Sequence, residues 1–320
     1  MELIVHDHAP VHISVADDAL GGAAQAAQEA IRLAFDCEFL GWHGYWTDPQ
    51  VGVPEDSRLL ASMTAAVATA AEALHVGVGT VLPPPAGGIP VSTGYGLLSR
   101  IYPARTDLVI TLDKARIPVG SDLTLPGPTA GGPLSELAGL LDTLRPQRSP
   151  GRTAPAREEP GPSTTWLLGG EHRDAAMAAD HGLAFCYAPA TPEAPDPDPV
   201  DRYRDTFRAG TGGTRPRVGL AVRIACADEA DDAAFMGALL AWADRPGPTD
   251  PPIRPDAGGR WEPAPVGALV GTPARIGPQL ARLLDLHRPD TLAVTTVCPD
   301  YALRLRSYEL VQDLVADHRS

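Results

Sequence analysis

Positive charge is scarce in this chain of 320 residues. Lys and Arg total 26 against 40 Asp and Glu, the formal charge is -14, and Lys114 is the sole lysine. A surface of that sign repels phosphate backbones and anionic lipid, which excludes nucleic acid and membrane surfaces as expected partners. Cysteine is rare too. Cys37, Cys186, Cys226 and Cys298 stand apart with no CxxC spacing, which points to reduced, buried thiols in a cytoplasmic protein rather than a disulfide framework. No run approaches the roughly 18 apolar residues that a membrane span needs. The opening MELIVHDHAP has neither a basic nor an apolar region, so no secretory signal is expected. No Gly-x-Ser-x-Gly, P-loop or Gly-x-Gly-x-x-Gly follows a predicted strand. Thr211-Gly212-Gly213 precedes one and reads as a hinge.

What is present suits a large core. Hydrophobic residues make up 44% and charged residues 21%, and the pI is near 5.0. Heavy use of Ala, Gly, Pro and Arg points to a GC-rich bacterial genome. Apolar, β-branched runs alternate with Ala/Leu-rich helical stretches. Strands are predicted at Val11–Val15, His43–Trp46, Val76–Leu82, Asp107–Thr111, Thr164–Leu168, Ala184–Tyr187, Val218–Ala225 and Thr291–Thr296. Helices are predicted at Gly22–Leu40, Ser57–Leu74, Leu134–Leu144, Arg173–His181, Val200–Phe207, Asp228–Ala241, Pro273–His287 and Ala302–Ala316. Eight repeats of strand and helix close most simply into a (β/α)8 barrel, whose usual size is about 250 residues plus insertions; an open doubly wound sheet is the alternative. One domain over 1–320 is expected. Residues 145–163, rich in Pro, Arg and Glu, read as a flexible insertion, and 245–265 as a long Pro/Gly loop near the barrel mouth.

Several local patterns resemble the luciferase-like monooxygenases, flavin-dependent (β/α)8 proteins. Ala30 to Trp46 is similar to the family's first helix and second strand, and His75 to Pro83 (HVGVGTVLP) to its third strand. Tyr102 to Leu108 (YPARTDL) is close to its Pro-Gly-Arg-Ile-Asp-Leu. Trp166 to Ala188, Arg202 to Phe207, and Thr295 to Leu310 with its Arg-Leu-Arg-Ser-Tyr-Glu-Leu complete the resemblance, which covers nearly the whole chain. It implies a TIM barrel of the luciferase-like type, reduced FMN supplied by a reductase, and a homodimer or a heterodimer with a related barrel through the early helices.

The departures fall where such barrels hold flavin. After Tyr45-Trp46 the family carries an acid and two histidines; here stand Thr47, Asp48, Pro49 and Gln50. The Gly-x-Gly-Arg after the fourth strand is replaced by Val109, Ile110, Thr111 and Leu112. The Gly-Ser-Ser that ends the fifth strand reads Gly169, Gly170, Glu171. A carboxylate about 4 Å from a phosphate costs roughly 4 kcal/mol at an effective dielectric near 20. Arg173 offsets this if it turns inward; otherwise Glu171 caps the following helix and Arg173 lies on its exposed face.

Strand ends would aim Asp17, Asp48, Thr80, Asp113, His172, Tyr187, Arg223 and Asp300 into the mouth. Asp17, Asp48, His172 and Tyr187 are the candidate catalytic residues. Thr80, Gly169, Gly170 and Arg173 are the candidate cofactor contacts. For each, a loop cap or a structural hydrogen bond is the plainer reading. His6 and His8, with Lys114, His172 and Asp300, offer the residue types of a metal set. The sixth strand has no His, and His6 and His8 precede the first predicted strand, so no metal site is expected and that end reads as a solvated terminus. His43 reads as structural, and Arg306 with Glu309 as a surface ion pair. The function expected is a divergent monooxygenase acting on a hydrophobic small molecule, in bacterial natural-product biosynthesis, with weakened flavin binding. Two alternatives stand beside it: a flavin-free cyclase, isomerase or dehydratase working by acid/base residues at the mouth, and a non-catalytic partner subunit.

Overall fold

The computed structural model describes residues 1–7, 19–48, 57–82, 91–112, 164–190, 196–210, 213–243 and 259–319. The expected strand at Val11–Val15, the helix at Leu134–Leu144, the insertion at 145–163 and most of the loop at 245–265 lie outside the described residues. In chain order the elements are β1 (Glu2–Asp7), α1 (Ala19–Leu40), β2 (Gly44–Thr47), α2 (Ser57–Ala70), β3 (His75–Leu82), α3 (Val91–Ile101) and β4 (Thr106–Leu112). There follow β5 (Thr165–Gly169), α4 (His172–His181), β6 (Ala184–Tyr187), α5 (Asp198–Thr206), β7 (Val218–Cys226) and α6 (Ala230–Ala243). The chain ends with β8 (Ala268–Gly271), α7 (Pro273–His287), β9 (Thr291–Thr295) and α8 (Tyr301–Arg319).

Every strand pair is parallel, and β1 to β7 with β9 close into an eight-stranded barrel. The ninth strand is an addition. Arg223 pairs with Thr295 of β9 and with Ala268 of β8, so β8 lies on the other edge of β7, continuing the line of β6 past its end. The start of the chain departs from expectation. His6 was expected in a solvated terminus ahead of the first strand, yet it sits within β1, which pairs with both β2 and β9.

The core has two layers because successive strand residues face opposite sides. Inside the barrel pack Ile4, Trp46, Val109, Trp166, Ala184, Cys186 and Ala293. Between barrel and helices lies a larger shell that includes Leu3, Val5, Tyr45, Leu108, Phe185 and Leu292. The indoles of Trp46 and Trp166 lie 5.4 Å apart, and Gly77 makes room for one of them: a Cβ there would stand 2.1 Å from Trp46 Cδ1. Below them Asp107 accepts from Trp46 Nε1 at 3.2 Å and from the Thr164 amide at 3.2 Å, and burial raises its pKa. All four cysteines are free and buried, and burial pushes the Cys226 thiol up to about 12 and Cys298 to about 11. Among the described residues no helix is long and apolar enough to cross a membrane.

The C-terminal helix is fastened by a buried ion pair. Arg304 Nη2 donates to Asp7 Oδ1 at 2.6 Å, with both side chains almost wholly buried, and the Tyr45 hydroxyl donates to Asp7 Oδ2. Burial works against the guanidinium charge; the Asp7 carboxylate, Tyr308 and Tyr45 beside it together outweigh that cost and raise the Arg304 pKa. Asp300 caps this helix, its Oδ1 accepting from the amides of Ala302 and Leu303. Ser307 Oγ accepts from the Cys226 amide, and Arg306 bridges Asp228 and Glu309 on the surface. Removing one partner of a buried pair strands the other charge, which costs about 3–5 kcal/mol. Asp7→Leu should therefore lower unfolding free energy in urea by about that much, and the double variant Asp7→Leu/Arg304→Leu should regain most of it. A single variant within about 1 kcal/mol of the parent would mean that the pair carries none of this role.

Candidate functional site

The inner face of the barrel changes character at its upper end. Parity sends Ile4 and His6 of β1 inward, Trp46 and then Asp48 at the end of β2, Thr111 of β4, Arg223 of β7 and Thr295 of β9. Four of these polar side chains form one chain of contacts. Thr295 Oγ1 lies 3.2 Å from His6 Nδ1, His6 Nε2 lies 3.1 Å from Asp48 Oδ2, and Thr111 Oγ1 donates to that oxygen at 3.5 Å. His6, Asp48 and Thr295 are all buried. The edge of the Trp46 ring meets His6, with centroids 6.2 Å apart. Asp48 is packed close against β3, since a Cβ on Gly79 would stand 2.2 Å from Asp48 Oδ1 and 2.6 Å from its Cα.

One oxygen of that carboxylate is left over. Asp48 Oδ1 is buried and has no hydrogen-bond partner among the described residues. A buried acceptor without a donor costs about 1–3 kcal/mol, so its persistence calls for a functional account. The layer is tight beside β1, β2 and β9, and looser across the barrel. There Thr111, Leu168, Ala221 and Arg223 are half-buried although all face inward. Arg223 Nη2 donates to the Val266 carbonyl at 2.8 Å, and Gly267, with φ at +92°, lets that turn come close.

The other expected residues lie elsewhere. Asp17 is outside the described residues. His172 begins α4 on the surface and pairs with Asp198, with Asp196 at 4.0 Å. Tyr187 faces the helical shell, its ring 5.0 Å from that of His287, and burial raises its pKa. His287 is itself buried with neither ring nitrogen hydrogen-bonded among the described residues, and burial with the nearby Arg204 lowers its pKa. On β3 Gly77 and Gly79 face inward, so Thr80 points out toward the helices and is buried there. Of the candidate catalytic residues that are described, the structure thus brings Asp48 alone into the inner layer, and joins it to His6.

The turn after β5 tests the fit of a flavin phosphate. Glu171 is the N-cap of α4 in a capping box: its side chain takes the Asp174 amide, while Asp174 Oδ2 accepts from the Glu171 amide at 3.0 Å. Arg173 Nε contacts Glu171 Oε2 at 2.8 Å on the exposed side. Gly169 and Gly170 are closed over by Asp174 and by the Ala188 carbonyl, each less than 3 Å from where a Cβ would stand. A helix N-terminus welcomes an anion through free amides. Here two carboxylates take the amides of Glu171 and Asp174 and add negative charge to the turn, and the nearest cation is paired, so the turn does not fit a phosphate. Among the described residues no three His, Cys, Asp or Glu converge on a metal-sized site.

No family model matches the chain. A luciferase-like monooxygenase of Escherichia coli strain K12 is 26% identical over 322 residues, covering 91% of this chain and 92% of that protein. Among solved structures, apo-MsnO8 has a TM-score of 0.69 with 26% identity and covers 98% of both chains. The oxygenating constituent of 3,6-diketocamphane monooxygenase from Pseudomonas putida, a type II Baeyer-Villiger enzyme solved with FMN, has a TM-score of 0.59 at 16% identity, covering 99% of this chain and 98% of that one.

The tight contact at Gly79 yields a direct check. Gly79→Ala must drive Asp48 off its position, and overpacking of that kind costs about 1–3 kcal/mol. Gly96→Ala on α3, where an added Cβ meets nothing within 4 Å, should be neutral or stabilising by up to about 1 kcal/mol. Urea unfolding of both variants reads the difference; equal stabilities would mean that Asp48 is not seated against β3.

Proposed function

From its kinship with the luciferase-like monooxygenases, we propose that this chain is a divergent oxygenase acting on an apolar small molecule at the upper end of the barrel. The observation that carries the reading is the buried His6–Asp48 pair at the C-terminal ends of β1 and β2, the end where barrels of this architecture carry their chemistry. Leu168 and Ala221 line the looser side with carbon, and Thr111 links that side to Asp48. Protein groups in such a site orient the substrate, keep water out and move protons. Reduced flavin would supply the electrons that activate oxygen. The closed turn at Glu171 supports a flavin that comes and goes as a reactant, delivered by a reductase, instead of one clamped by its phosphate. A cytoplasmic setting fits the four free, buried thiols, and Ala/Pro/Arg-rich composition fits bacterial natural-product biosynthesis.

A flavin-free acid/base reaction is the second reading, favoured by the Thr295–His6–Asp48–Thr111 chain, which needs no cofactor to move a proton. Titrating reduced FMN and reduced riboflavin into the anaerobic protein separates the two. If flavin is held without a phosphate grip, the two dissociation constants should agree within about threefold, roughly 0.7 kcal/mol. FMN binding about 100-fold tighter than riboflavin would overturn the loose-flavin reading. Binding of neither would move the assignment to the flavin-free enzyme.

The same reading includes a dimer. Phe35 and Phe39 on α1 are 56% and 90% exposed, and Leu97 and Ile101 on α3 are 60% and 55% exposed. Each pair is spaced four residues apart, on helices that flank α2, giving a helical face with four large apolar side chains in water. Phe35→Asp/Phe39→Asp should shift the protein from dimer to monomer in sedimentation velocity with unchanged far-ultraviolet circular dichroism. A parent that sediments as a monomer would remove the dimer from the reading.

A further inference from the structure

The two members of the buried pair are not equally committed. His6 uses both ring nitrogens inside the barrel, Nδ1 toward Thr295 and Nε2 toward Asp48. Asp48 uses Oδ2 for His6 and Thr111 and leaves Oδ1, buried beside Gly79, without a partner among the described residues, although the residue is 2% exposed. A group about to accept a proton needs an open acceptor position, and His6 shows none in these contacts. We propose that Asp48 is the residue that meets the substrate, and that the substrate is an apolar molecule bearing an acidic hydroxyl, a phenol or an enol.

This deepens the reading of the barrel mouth as the active site and rests on it. The donor must be neutral before transfer. A carboxylic acid would arrive ionised and be repelled by Asp48, and an ammonium would face Arg223, which projects inward from β7 in the layer of Thr295. A phenol or enol meets both conditions. Its carbon body suits Leu168 and Ala221, and its oxyanion, once formed, shares the layer with a guanidinium. In the step itself the substrate O–H bond breaks, the electron pair stays on the substrate oxygen, and the proton passes to Asp48 Oδ1. No oxidant is consumed. His6 is then a positioning residue: Thr295 fixes its ring, and its Nε2 fixes the carboxylate plane.

The test needs neither flavin nor turnover, so it fails or succeeds separately from the flavin titration. The full chain is titrated with 1-naphthol and with 1-methoxynaphthalene, which lacks only the donor, and tryptophan fluorescence reports binding. The parent should prefer naphthol at least tenfold. Asp48→Asn should bring the ratio to about one. His6→Gln retains a donor toward Asp48 and should keep most of the preference, while His6→Leu should lose much of it, a difference that a merely space-filling role would not produce. Circular dichroism melts confirm that each variant is folded, and if Asp48→Asn is not, the contrast between Gln and Leu at position 6 carries the test. Equal binding of both ligands by the parent, binding of neither, a preference that survives in Asp48→Asn, or identical ratios in the two His6 variants would each overturn the proposal.

Discussion

The ion pair between Asp7 and Arg304 governs more than the docking of the last helix. Asp7 points outward from β1 and is gripped by Arg304 and the Tyr45 hydroxyl, so the roll of that strand about its own axis is settled at this point. Side chains alternate along a strand, and a slip of one residue would send His6 outward and Asp7 into the barrel. The inner site and the outer anchor are therefore neighbours on one backbone with opposite tasks. The buried ion pair on the helical side and the buried His6–Asp48 contact on the inner side both depend on the same register, in which His6 pairs with Trp46 and Asp7 with Thr47.

Much of the barrel could be read from periodicity. The predicted strands from β2 to β7 and β9 agree with the structure to within a residue at most ends, and the helix at Pro273–His287 agrees at both, with Pro273 at its start. Buried parallel strands announce themselves as apolar runs bounded by turns, and seven of them did. The failures have local causes. Glu2–Asp7 is a short run ending in His and Asp and so looks like a polar terminus, although both side chains are buried in the fold. Val91–Ile101 carries two glycines, two serines and a threonine, and so looks like a loop. Ala268–Gly271 is four residues long and follows a Pro/Gly-rich stretch.

The site was legible in half. Asp48 follows from its place at the end of β2, but His6 could not be joined to it while β1 was misplaced. Once β1 is known, parity alone puts His6 inward, and the same rule turns Tyr187 outward beside Cys186 and Thr80 outward beside Gly79. Glu171 and Arg173 illustrate a different limit. Sequence gives the charges present at a helix start, yet only geometry tells whether a carboxylate spends itself on its own amides. Here it does, in company with the buried Asp174.

Gly77 and Gly79 carry a consequence for how this barrel can change over evolutionary time. Each cedes its side-chain space to the strand next door, one to an indole and the other to a carboxylate. Positions 46 and 77, and positions 48 and 79, are thereby tied as donor and recipient of the same volume. A side chain gained at 79 displaces the acid at 48, so a change at either position alters what the other can hold.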